Sequence, residues 1–377
     1  MFGISTSIFN EAGGLVKGWL KNPLNASFFY WYFLPAVGFG LLQMFIILPV
    51  MGHAAPKVFS VEVDKSEGLA DLILQILSAS FLSLILLPLV FGVLLSALAG
   101  TVLRFYQGRL SITRFLFQPW LKRNQARSRE FYGPLLNLRR QYLFAVSQGV
   151  RLTTTDSQEK AEQITEAEQA LLVETLKAEI QRLHERLETA STGHDLPVDP
   201  DRVGPNALAN ALAVAEEYPF ERYSMDTAVF WPRLSAEIEP EKLESMTGSF
   251  GMMNGLLNLS VLSYLFAIEC LIVTTGVIAG WLKPLPPLSS LIHPAWLFPA
   301  MLLAVLIGFA TYRAAIGAAR GVGNSLRTAF DYYRGNVLRR FNLKIPGDIE
   351  EERVVWLKLA AFIRRGETFY YPSEFRE

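Results

Sequence analysis

GLLNLSVLSYLFAIECLIVTTGVIAGW, residues 255–281, is an apolar run with one carboxylate, Glu269, near its middle. At ~1.5 Å of rise per residue a helix of this length reaches ~40 Å, more than the ~30 Å of a hydrocarbon core. The run predicts a transmembrane helix. Asn258, Ser260, Ser263, Tyr264, Thr274 and Thr275 can all be satisfied inside a helix bundle. An ionisable group at that depth costs at least ~2.5 kcal/mol and normally has a reason to be there, so Glu269 is the leading clue to function.

Three further runs lie outward from this one. A short loop with Pro284, Pro286, Pro287 and Pro294 leads to a fourth span, about Trp296 to Tyr312, and beyond Arg313 the helix is expected to continue through Ala314, Ala318 and the pair Gly317 and Gly321. Toward the N-terminus, Phe28 to Met51 forms a first span that opens with Tyr30, Trp31 and Tyr32, residues that favour the headgroup level. Leu69 to Leu103 forms a second, with Pro88 as a kink. In it Gly92, Ser96 and Gly100 recur every four residues, the small-residue stripe that lets helices approach closely. Arg104, Arg109, Arg114, Lys122, Arg123, Arg127 and Arg129 follow span two, and Arg320, Arg327 and Arg334 follow span four. Basic clusters beside spans mark the cytoplasmic side.

The expected fold is an all-α integral membrane protein, with four transmembrane helices as two hairpins flanking a mainly helical cytosolic domain. Its segments are an N-terminal interfacial amphipathic helix (1–27), transmembrane hairpin 1 (28–104), a juxtamembrane helix with the cytosolic domain (105–250), transmembrane hairpin 2 (251–319) and a cytosolic juxtamembrane C-terminal segment (320–377). The first residues lack the basic start of a signal peptide and carry Glu11, so they read as retained. The expected localisation is the cell membrane, with both termini cytoplasmic.

Composition agrees: 51% of the 377 residues are hydrophobic and the mean hydropathy is +0.26. Thirty-five basic residues balance 35 acidic ones, so no nucleic-acid partner is expected. The local basic clusters, interleaved with Phe105, Phe115, Phe117 and Trp120, instead suit a bilayer with anionic headgroups. Cys270 is the single cysteine and the four histidines are scattered, so neither a metal site nor any other cofactor is expected.

Thr155 to Ala190 lacks Gly and Pro, and its leucine stripe (Leu172, Leu176, Ile180, Leu183, Leu187) predicts a long amphipathic helix. It suits either a coiled coil or packing within its own domain. Pro205 opens a small-residue helix, and the aromatic, charged stretch Tyr218 to Pro240 reads as the centre of the cytosolic domain. Gly248, Gly251 and Gly255 at the entry to span three offer a hinge or a tight packing surface. The exits of spans two and four also look alike: Tyr106, Gly108 and Trp120 echo Tyr333, Gly335 and Trp356. This is either an internal repeat or shared juxtamembrane chemistry.

No nucleotide-binding loop, hydrolase elbow, zinc-protease or kinase pattern is present, so no catalytic residues are assigned and an enzyme is not expected. The first functional expectation is a non-catalytic, homo-oligomeric scaffold or signalling protein with a cytosolic protein partner. The alternative is an ion channel or proton/ion-coupled transporter in which Glu269, with Asn258 and Tyr264, lines the path. Arg313 is the expected ion-pair partner of Glu269, its rival being a protonated Glu269 bonded to a hydroxyl.

Overall fold

The computed structural model describes residues 28–47, 79–154, 166–189, 196–281 and 296–368. The expected interfacial helix 1–27 lies outside these, as do the two loops expected on the outer side, 52–68 and 282–295. Among the described residues there is no strand, and nine main helices follow in order: α1 Phe29–Ile47, α2 Ala79–Tyr106, α3 Ser111–Thr154, α4 Glu166–Thr189, α5 Ala207–Tyr223, α6 Thr227–Leu234, α7 Pro240–Ile278, α8 Leu297–Arg340 and α9 Ile349–Arg365. Four of them, α1, α2, α7 and α8, are long and apolar enough to cross a membrane, and they fall on the four apolar runs.

Two compact units form: residues 1–105 with 219–377, and residues 106–218. The division falls inside the segment expected to be one cytosolic domain, and it assigns Pro219 to Pro240 to the unit that contains the spans. The reason is the length of α8, which runs on to Arg340 and offers an apolar surface that α6 covers, with α9 packed in turn on α6. Phe230, Trp356, Phe330 and Leu338 are fully buried there, with the Phe230 and Trp356 rings edge-to-face at 4.8 Å.

α7 and α8 lie side by side in opposite directions. Ser260 Oγ donates to the Gly308 carbonyl at 2.8 Å, while Val273 packs with Leu297 at the other end of the contact. α1 lies along α7 in the same direction: Trp31 sits on Gly251 and Gly255, Ala36 meets Leu262, and Ile47 meets Phe266 and Val273. α2 reaches α1 at Gly92, where an added Cβ would stand 3.2 Å from Phe33 Cα.

Helix ends follow local chemistry. α7 opens on Pro240, whose missing N–H is no loss at a first turn, and closes where Gly280 takes φ +75° and Trp281 N–H returns to the Gly276 carbonyl at 2.9 Å. α8 closes likewise on left-handed Asn342, with Leu343 N–H donating to Leu338 O at 3.1 Å. Gly248, Gly251 and Gly255 therefore sit inside one unbroken helix, and two of them serve as a seat for Trp31: close packing, not a break. The apparent repeat has no structural counterpart. Tyr106 and Gly108 lie at the break before α3, but Tyr333 and Gly335 are inside α8; Trp120 is exposed, whereas Trp356 is fully buried.

In the 106–218 unit, α4 packs on α3, with Ile180 and Leu183 against Tyr132 and Leu135, so the leucine stripe has a partner within its own unit. Leu171 and Leu172 at its start are exposed. Residues 196–206 are tied down by side chains: Ser128 Oγ donates to Pro197 O, Asn124 Nδ2 to Gly204 O, and Glu217 accepts from the Val198 and Asp199 N–H groups, both at 2.9 Å.

Candidate functional site

Glu269 is half-buried on α7, and its carboxylate accepts a hydrogen bond from Gln43 Nε2 of α1. Gln43 was not singled out in the sequence, yet it is the only strongly polar side chain between Phe33 and Val50. An amide hydrogen in that setting needs an acceptor, and Glu269 is the one α7 supplies.

Arg313 does not reach Glu269. Ser260 and Tyr264 both abut Gly308, so Arg313 stands roughly level with residues 255–259, and Glu269 lies about 12 residues, or ~18 Å, further along. Arg313 is exposed on α8. The expected pairing treated the two helices as symmetric about their connecting loop; in fact Leu297, at the start of α8, packs with Val273, a register shift of about two turns.

Asn258 is fully buried, and neither its Oδ1 nor its Nδ2 has a hydrogen-bond partner among the described residues. One turn earlier Asn254 bonds through its side chain to Tyr32, while its own Oδ1 lacks a partner. Tyr264 lies flat against Gly308: a Cβ there would come within 3.1 Å of Tyr264 Cζ. The remaining hydroxyls turn back on their own helix, Ser263 to Leu259 O, Thr274 to Cys270 O and Thr275 to Leu271 O, a common way to satisfy them in an apolar medium. Of the three-residue stripe on α2, Gly92 is buried against α1, whereas nothing lies within 4 Å of where a Cβ on Gly100 would be. Ser96 is half-buried, and the covered face of α2 continues instead through Leu95, Ala99 and Leu103.

A second polar cluster lies near the C-terminal end of α8. Glu352, 4% exposed, accepts from Arg334 Nε at 2.8 Å and Trp356 Nε1 at 3.0 Å. Arg334 also bonds the Asp331 carbonyl and lies over the Tyr223 ring, 4.2 Å from its centroid, while Tyr223 OH donates to Asp331 Oδ1 at 2.6 Å. Sequence reading missed this network. Its one signal was an acid, Glu352, on the same helical stripe as Val355, Trp356 and Leu359.

Among the described residues no group of three His, Cys, Asp or Glu side chains gathers where a metal ion could sit. No family model matches this chain, and neither a curated protein nor a solved structure does.

Proposed function

We propose that the chain is a multi-pass cell-membrane protein with both termini and residues 104–250 in the cytoplasm, acting as a non-catalytic scaffold that presents its helical units to a cytosolic protein partner. The observation that carries this reading is where the intramembrane polar groups go. Gln43 bonds Glu269, Asn254 bonds Tyr32 and Ser260 bonds the Gly308 carbonyl, each joining one helix to another. Between the first two pairs lies an apolar layer of Ala36, Leu95 and Leu262. Polar groups used this way fix helix register, as interhelical hydrogen bonds in membranes do. Outward faces fit lipid: Leu265, Ile268, Leu271 and Ile272 on α7 and Leu302, Leu306 and Phe309 on α8 are all exposed. The open end of the α2 stripe at Gly100 leaves room for a second copy, which supports a homo-oligomer.

The second reading, an ion or proton path along α7, is favoured by Asn258. With Asn254 and Glu269 it falls within roughly 60° on one helix face at ~100° per residue, and its amide is unpartnered. Ion flux into vesicles carrying the full-length protein separates the two. The scaffold reading expects flux no greater than in protein-free vesicles. Cation or proton flux that Glu269→Gln abolishes would establish the path instead.

A further inference from the structure

α3 begins four residues after α2 ends, and it has two unlike faces. Thr113, Ser128, Tyr132 and Leu135 are buried, and they point to one side of the helix at ~100° per residue, covered by residues 196–206 and α4. The side of its first turns away from Ser128, Tyr132 and Leu135 carries Phe115 and Leu116, which are 79% and 59% exposed, and Trp120, 56% exposed, lies at the edge of that side, next in angle to Thr113. Arg109, Lys122, Arg123 and Arg127 are exposed beside or just beyond them. From Arg104 to Arg129 seven residues are basic and none is acidic.

We propose that this face of α3, residues 111–127, is a docking surface for the anionic headgroups of the inner leaflet, with Phe115, Leu116 and Trp120 inserted among the acyl-chain ends. Lipid fits this face better than a protein occupant in three respects. The first is distance: four connecting residues span at most ~14 Å, so α3 starts near the bilayer edge wherever its own unit lies. The second is charge, since an acid-free cationic strip matches a leaflet rich in anionic lipid and has no match on a second copy of the same strip. The third is chemistry: exposed aromatic and aliphatic side chains flanked by arginines form the amphipathic pattern of helices that lie in an interface. The connection is built to bend sharply. Gly108 takes φ +69° and a Cβ there would stand 2.6 Å from Pro205 Cγ, while Asn206 Nδ2 donates to the Tyr106 carbonyl that the helix end leaves free. Docking would hold the 106–218 unit against the membrane at a point set by lipid charge.

The test uses full-length protein with Leu116→Cys bearing an environment-sensitive fluorophore, in vesicles of phosphatidylcholine alone or with added phosphatidylglycerol. Cys270 is buried, so the parent protein gives the labelling blank. Glu179→Cys, exposed on α4, gives the water-facing reference. At position 116 a lipid-borne nitroxide should quench strongly and aqueous iodide weakly. Iodide protection should grow with anionic lipid and fall by about twofold or more when Arg123 and Arg127 are changed to Glu. Iodide quenching equal to that at 179 would overturn the proposal. So would iodide protection without nitroxide quenching, which would mean that protein covers the face.

Discussion

At the scale of single residues, glycine sorts into seats and gaps. On Gly255 a Cβ would meet Trp31 Cε3 at 2.7 Å and Trp31 Cα at 3.1 Å, and backbone cannot step aside as a flexible side chain can. Gly255→Ala should therefore cost about 1–3 kcal/mol by overpacking, whereas Gly100→Ala, with open space around it, should leave the unfolding of the protomer within ~0.5 kcal/mol of the parent. Unfolding in mild detergent followed by tryptophan fluorescence reads both. Spacing alone had placed Gly100 in the important stripe because period-four small residues define a face but not whether a neighbour lies on it. Glu269 was legible as the one acid in an apolar run, but its partner was not: the expected ion pair with Arg313 followed from counting, and helix register is what counting through a loop leaves undetermined. Since Gln43 is what Glu269 bonds, Gln43→Leu should destabilise by about 1–3 kcal/mol, and Glu269→Gln, which keeps an acceptor oxygen for the same amide, by less than ~1 kcal/mol. Equal costs for the two changes in the same unfolding assay would rule out that bond as the main tie.

At the scale of elements, the apolar runs were readable because some twenty consecutive apolar residues have few other uses. The continuation of α8 past Arg313 was readable too, through its small residues 314–321, but its partner α6 was not, because that helix is distant in sequence. The Arg334–Glu352 pair joins α8 to α9. Arg334→Met should cost about 3–5 kcal/mol by stranding a buried carboxylate, and adding Glu352→Met should recover much of that loss, as a double-mutant cycle would show. On α5, burial holds the Glu216 carboxyl above its usual range, only partly offset by Arg109 and Arg202. The folded state thus binds that proton more tightly than the unfolded state. Its contribution to stability is full below the ordinary carboxylate pKa and is lost as pH rises through the raised value. Glu216→Gln should flatten that fall, so the melting temperatures of parent and variant should diverge as pH increases through this window. Parallel pH profiles would contradict the assignment. Nearby, burial and then the charge of Glu217 push the Tyr132 hydroxyl up to about 12, so it stays protonated throughout.

At the scale of the whole molecule, four helices are long and apolar enough to cross a membrane, and two of them, α7 and α8, run on unbroken beyond their apolar stretches. The four apolar helices of spanning length could be read from the sequence and the register of α7 against α8 could not, because counting through a loop does not fix it. The proposed orientation rests on the seven basic residues from Arg104 to Arg129 and on Arg320, Arg327 and Arg334, against Lys57, Lys65 and Lys283 in the loops proposed to lie outside. The most direct test is labelling of intact cells with a membrane-impermeant thiol reagent, using single cysteines at Ser289, between α7 and α8, and at Tyr332, which is 77% exposed on the C-terminal length of α8. Position 289 should react from outside, and position 332 should react only after the membrane is opened. Reaction at 332 in intact cells, or at neither position until lysis, would contradict a chain that crosses the membrane on α7, returns on α8 and keeps its helical units inside.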